Sequence, residues 1–177
     1  MRLLFLAGAI LAVAGCSSDH TATIPGNQLV ANDFESLAGW VGEAPSLTQE
    51  KAHSGRYAIK TDKGLEYSLG YRNKLLNVST ARLSRLRLTA YVLATQPNSP
   101  AVLTLQVNRS PQDGATVFSQ GIAVAKAVKT AGEWTKVSEV ITLPAEVTGA
   151  NELRLYLWQP GATAPVYVDD LSLEIEP

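Results

Sequence analysis

Alternation of apolar and polar residues recurs along this chain of 177 residues and most constrains its fold. A period of two is typical of a β-strand with one buried face, whereas a helix repeats its apolar residues every three or four positions. The alternation predicts about eight to ten strands and no convincing helix. The clearest segments are residues 86–94, 103–107, 137–143 and 153–157.

Turn residues separate these segments. Pro, Asn, Ser and Gly cluster at residues 97–100, 110–114 and 159–161. These residue types accept the backbone angles that tight turns require. Many short strands with such turns predict an all-β fold, a β-sandwich of two packed antiparallel sheets.

Cys16 is the only cysteine, and it closes an apolar N-terminal segment. Arg2 precedes the apolar residues 3–14, and Gly15 stands just before the cysteine. The segment is too short for the roughly twenty residues of a membrane span. It resembles a bacterial lipoprotein signal, which implies cleavage after residue 15 and lipid attachment at Cys16. Ser17 after the cysteine favours the outer membrane.

The predicted organisation is a signal peptide at 1–15, a lipidated cysteine and flexible tether at 16–28, and one domain at 29–177. Loss of the signal removes Arg2 and leaves 14 basic against 16 acidic residues, a formal charge of −2. Such a chain lacks the concentrated basic face that nucleic-acid binding needs. With Cys16 lipidated, stability must come from packing and sheet hydrogen bonds, since no disulfide can form.

Three separated segments carry a family resemblance. They are residues 32–35 with Trp40, residues 53–60 and residues 167–173, and residues 133–137 lie between the second and the third. In this order the chain resembles the carbohydrate-binding modules grouped as families four, nine and twenty-two. That resemblance implies a galactose-binding-like jelly roll, which is a type of β-sandwich. Some domains with this fold bind carbohydrate, and others bind proteins.

The resemblance also implies one structural calcium ion where the three segments meet. Carried over by position, Glu35 and Asp169 would bind through their side chains, and backbone carbonyls near Asp33, His53 and Arg56 would complete the site. Carboxylate and carbonyl oxygens are the ligands that calcium prefers. Some relatives have an acidic residue where His53 stands. The alternative is that the two carboxylates are solvated or paired with nearby cations, Arg56 and Lys60.

Tyr156 and Trp158 are the first candidates for ligand contacts. They alternate with Leu153, Leu155 and Leu157, so both rings should point away from the core. Outward aromatic rings can stack on sugar rings, and planar amide or guanidinium groups can bind hydroxyls. Outward positions on this strand and on other strands add to this predicted site: Arg154, Gln106, Arg87 and Tyr91. The alternative is a solvated face with stabilising aromatic pairs.

No catalytic constellation is evident. The chain has two histidines, one in the tether and one in a predicted turn, which argues against a triad or a catalytic zinc. The leading hypothesis is therefore a non-catalytic, lipid-anchored envelope protein that binds a polysaccharide or oligosaccharide. A structural or adhesive protein that binds an envelope protein partner is the alternative, and a small polysaccharide-degrading enzyme is a third.

Overall fold

The structure is a computed structural model that describes residues 26–42 and 44–177. Cys16, the signal at 1–15 and most of the tether at 16–28 lie outside the described residues, so their predictions are not tested by it. No helix in the described part is long and apolar enough to cross a membrane.

Eleven strands and three short helical turns make up the described chain. The helical turns are α1 (Leu75–Val78), α2 (Val124–Ala127) and a 3-10 turn at Ala44–Ser46. The strands are β1 (Gln28–Asn32), β2 (Trp40–Val41), β3 (Leu47–Thr48), β4 (Ala58–Thr61), β5 (Tyr67–Lys74), β6 (Arg85–Ala94), β7 (Val102–Asn108), β8 (Thr116–Ala123), β9 (Thr135–Thr142), β10 (Glu152–Trp158) and β11 (Val166–Ile175).

The strands form two antiparallel sheets. One sheet has six strands in the order β3-β4-β11-β6-β9, with β1 also paired to β11. The other has five strands in the order β2-β5-β10-β7-β8. The predicted all-β sandwich of jelly-roll type is confirmed.

The core lies between the sheets and consists of the inward residues of each alternating strand. Leu86 and Leu88 on β6 and Leu153, Leu155 and Leu157 on β10 are all fully buried. This burial explains the period of two on β6 and β10, since each of them has one dry face and one more exposed face along most of its length. Phe34 and Trp40 close the core near its edge with ring centroids 4.9 Å apart.

Candidate functional site

The outer face of the five-stranded sheet carries a regular ladder of side chains across β5, β10 and β7. Outward residues on one strand are two positions apart, which places successive rows about 7 Å from each other. The rows, each written from β5 through β10 to β7, are Lys74–Glu152–Asn108, Arg72–Arg154–Gln106, Gly70–Tyr156–Thr104 and Tyr67–Trp158–Val102.

Aromatic rings gather at one end of this ladder. Tyr67 is 54% exposed, and its ring centroid lies 6.3 Å from that of Trp158 with an angle of 22° between the planes. The Tyr67 and Tyr156 centroids are 6.0 Å apart. We call these three residues the aromatic cluster. Their partly exposed rings form an apolar surface that suits the faces of sugar rings.

A β-bulge brings Tyr67 into this cluster. Tyr156 pairs with Gly70, but Trp158, two residues later, pairs with Tyr67, three residues earlier on β5. The extra residue reverses the alternation of β5, so that Tyr67 joins the outward face. The Ser68 hydroxyl stabilises the bulge by accepting a hydrogen bond from the Leu157 backbone nitrogen at 3.0 Å.

A groove of about 390 Å³ runs beside the cluster. Gly70 lies in its floor, where a Cβ atom would stand only 3.0 Å from the Leu155 carbonyl oxygen and 3.3 Å from Tyr156 Cβ. The absence of a side chain thus keeps the strands close and the groove open. The polar and aromatic side chains in its lining are Tyr67, Ser68, Tyr71, Arg72, Gln106, Arg154 and Tyr156.

Hydrogen bonds fix three polar side chains of the groove, Tyr156, Gln106 and Arg154. The Tyr156 hydroxyl donates to Gln106 Oε1 at 2.5 Å, and Gln106 Nε2 donates to Asn108 Oδ1 at 2.6 Å. Arg154 Nε donates to the buried carboxylate of Glu152. Burial raises the pKa of Tyr156, and the neighbouring Tyr67 raises it further. The phenol is therefore neutral at physiological pH and keeps its proton for Gln106.

The structure brings together four of the six predicted ligand contacts, Tyr156, Trp158, Gln106 and Arg154. It places the other two on β6 in the six-stranded sheet, away from the groove. Arg87 forms a two-pronged ion pair with Glu176, with Nη2 to Oε1 at 2.6 Å. Tyr91 stacks on His53 with centroids 3.5 Å apart. Alternation predicts that a residue lies on an outer face, but it does not predict to which of the two sheets that face belongs.

Several groove residues were not predicted from the sequence, among them Tyr67, Tyr71 and Arg72. Tyr67 was missed because its parity changes at the bulge, and Arg72 because β5 does not alternate cleanly. The alternation of β10 gave no information about its neighbour on either side. The run of polar and aromatic residues in Tyr67–Lys74 was the available signal.

The three segments predicted to share a calcium site do meet at one loop, residues 53–57. Asp169 Oδ2 accepts hydrogen bonds from the backbone nitrogens of His53 at 2.7 Å and Ser54 at 3.1 Å. Glu35 Oε1 accepts from the backbone nitrogens of Arg56 at 2.6 Å and Tyr57 at 2.8 Å. The two carboxylates therefore hold the loop to β11 and to the segment after β1.

The fit of this loop to calcium is incomplete. Asp169 is fully buried, and its Oδ1 also accepts from the Asp170 backbone nitrogen, so both of its oxygens face N–H donors. Burial raises the pKa of Asp169, against the lowering effect of these hydrogen bonds. Asp33 Oδ1 accepts from the Glu35 backbone nitrogen at 3.2 Å. Among residues 26–42 and 44–177 no three ligating side chains form a metal cluster. Calcium binding stays a prediction.

Comparison with protein families identifies the class to which this fold and groove belong. The family described as carbohydrate binding domain, of the type that joins families four and nine, matches residues 26–165. The match covers most of the chain, and the chain belongs to this family. It is a carbohydrate-binding module of the galactose-binding-like jelly-roll type, as the sequence resemblance implied.

Solved structures support the fold at low sequence identity. The CBM22-1 xylan-binding domain of Xyn10C from Paenibacillus barcinonensis is 21% identical, with a TM-score of 0.53, over 88% of this chain and 99% of that one. The C-terminal family 22 module of Clostridium thermocellum Xyn10B is 12% identical, with a TM-score of 0.54, over 84% and 93%.

The CBM22-1-GH10 modules of the same Clostridium thermocellum xylanase, solved with xylohexaose, are 14% identical with a TM-score of 0.54. There the match covers 86% of this chain and 29% of the other. A comparison with curated proteins finds no significant match.

Proposed function

We propose that this protein is a non-catalytic module that binds a polysaccharide of the xylan type along the outer face of β5, β10 and β7. The observation that carries the proposal is the aromatic cluster of Tyr67, Tyr156 and Trp158 beside a groove with fixed polar groups. Concave sites with a few convergent polar groups are typical of ligand binding. The similar structures described as xylan-binding suggest the polysaccharide.

The side chains around the groove support a binding role without catalysis. Glycoside hydrolysis needs two carboxyl groups about 5 to 10 Å apart on either side of the scissile bond. The described residues that line the groove include no Asp, Glu or His. Glu152 lies in the next row, buried and hydrogen-bonded to Arg154. We therefore expect no new reducing ends when the protein is incubated with xylan.

Affinity electrophoresis tests the binding proposal. Soluble xylan in the gel should retard the protein, and the Trp158→Ala variant should migrate as it does without polysaccharide. Trp134→Ala is the matched control, because Trp134 lies just before β9 of the other sheet and packs against His53. The proposal is wrong if xylan causes no retardation, or if Trp158→Ala is retarded as strongly as the parent protein.

We further propose that Cys16 carries lipid and holds the module at the bacterial cell envelope, in the outer membrane. The sequence of residues 2–16 supports this, and several acyl chains would make the anchor stable. Detergent-phase partitioning should recover the native protein with lipid, and Cys16→Ser should move it to the aqueous phase. A native protein that stays aqueous and retains residues 1–15 would contradict the anchor.

A further inference from the structure

The groove contains an unusual pair of like charges. Arg72 on β5 and Arg154 on β10 stand directly opposite each other in the register of the five-stranded sheet. Like charges at directly opposed positions destabilise a strand pair. Both side chains line the groove, next to the row that holds Tyr156. Something other than the fold must account for two guanidinium groups at this place.

Only one of these two charges is neutralised within the described residues. Arg154 donates to Glu152, whose side chain is buried at the end of the ladder. Arg72 is exposed, and no ion pair joins it to any carboxylate of residues 26–42 or 44–177. Lys74, also exposed, adds a third cation opposite Glu152. The two rows thus have three cations and one carboxylate.

The ladder is therefore aromatic at one end and cationic at the other. The row of Arg72 and Arg154 is separated from the row of Tyr67 and Trp158 by four residues of β10, about 13 Å along the strand. A guanidinium group matches a carboxylate with two parallel hydrogen bonds, which makes arginine suited to binding acids. A neutral polysaccharide would leave this end of the groove without a partner for its charge.

We propose that the groove selects a polysaccharide with acidic sugars, and that Arg72 binds the carboxylate of a uronic acid while neighbouring sugars lie on the aromatic cluster. This inference rests on the proposed function, because it names the ligand class of the same groove. Arg72 is then the residue that determines specificity. Arg154, held by Glu152, donates its remaining N–H groups from the opposite strand.

Calorimetric titration with two matched ligands tests the inference. The ligands are a linear xylo-oligosaccharide and the same oligosaccharide with one glucuronic acid branch. We expect the acidic ligand to bind about tenfold more tightly at low salt, the effect of one charge-assisted contact. Added salt should reduce this preference, since the contact is open to solvent.

Arg72→Gln should remove the preference, because it weakens the acidic ligand about tenfold more than the linear one. Lys129→Gln removes the same charge outside the groove and should keep the preference, while Trp158→Ala should weaken both ligands alike. Equal affinity of the parent protein for both ligands, or a preference that survives Arg72→Gln, overturns the inference and leaves the proposed function standing. No binding of either ligand overturns the proposed function and this inference with it.

Discussion

At the scale of single residues, the Tyr156 hydroxyl shows how the groove keeps its shape. It donates a hydrogen bond to Gln106, whose amide nitrogen in turn donates to Asn108 and to Thr116. Because the Gln106 amide is hydrogen-bonded through both its oxygen and its nitrogen, it holds the Tyr156 ring in one orientation. The ring can then contact a ligand without losing further rotational freedom. Preorganised side chains reduce the entropic cost of binding.

Replacing Tyr156 by Phe should destabilise the fold by about 1 kcal/mol, because Gln106 Oε1 loses its donor in a half-buried place. Tyr67→Phe is the matched control, since Tyr67 is 54% exposed and surface changes of this kind alter stability by less than about 0.5 kcal/mol. Urea denaturation measures both variants. Equal stability of the two would show that the Tyr156 hydrogen bond contributes nothing.

At the scale of strands, alternation predicted the inward residues of β6, β7, β9 and β10 correctly. It worked there because β6 pairs with β9, and β7 with β10, in an unbroken register, and each of these strands turns one face to the core. It failed for Tyr67, where the bulge in β5 shifts the register by one residue. No local pattern in the sequence marks that bulge, because it arises from how β5 pairs with β10.

Sheet membership was the second property that the sequence left open. Arg87 and Tyr91 alternate as clearly as Arg154 and Tyr156, and both pairs face outward. They belong to different sheets because β6 pairs with β9 and β11, whereas β10 pairs with β5 and β7. Which strands become neighbours depends on long-range pairing, and the period of one strand carries no information about it.

The pairing of β7 with β8 depends on Gly121. A Cβ atom at this position would lie 2.3 Å from the Leu103 carbonyl oxygen and 2.9 Å from Thr104 Cα. Gly121→Ala should therefore cost about 1 to 3 kcal/mol of stability, as the strands must separate. Gly114→Ala, in the turn between the same strands, meets no atom within 4 Å and serves as the control. Equal denaturation midpoints would refute this account of Gly121.

The Arg87 and Glu176 pair should make stability depend on pH at the end of the paired inner strands β6 and β11. Hydrogen bonding to Arg87 lowers the pKa of Glu176 below its ordinary value. A lowered pKa in the folded state adds stability above the unfolded pKa, and this contribution is lost as pH falls through the folded pKa. The parent protein should thus exceed Glu176→Gln in stability at about pH 7.

Denaturation curves between about pH 7 and about pH 2 measure that difference, which should shrink as the pH falls. When Arg87→Gln is introduced into both proteins, this difference should disappear, because the ion pair is then missing from both. A difference between the parent and Glu176→Gln that stays constant over this range would show that the carboxylate does not act through its charge.

In the whole molecule, the two sheets differ in what they support. The five-stranded sheet holds the groove, and the six-stranded sheet is tied by β11 to the loop of residues 53–57 through Asp169. The predicted calcium would add to this tie. We expect a chelator to lower the melting temperature and added calcium to restore it, since a ligand of the folded state stabilises by mass action.

Glu35→Gln should remove the calcium response. Asp113→Asn, which removes a carboxylate from the turn between β7 and β8, should leave the response intact. Melting curves that are identical in chelator and in calcium would eliminate the metal and leave the backbone hydrogen bonds of Glu35 and Asp169 as the whole connection.

Calorimetric titration of the protein with xylohexaose tests the groove most directly, when the parent protein is compared with Trp158→Ala and Trp134→Ala. Loss of the ring in the aromatic cluster should weaken binding at least about tenfold, because buried aromatic contacts dominate such interfaces. Trp134→Ala should bind as the parent does. Unchanged affinity in Trp158→Ala, or a parent protein that releases no heat with any xylan ligand, would contradict the assignment of the groove.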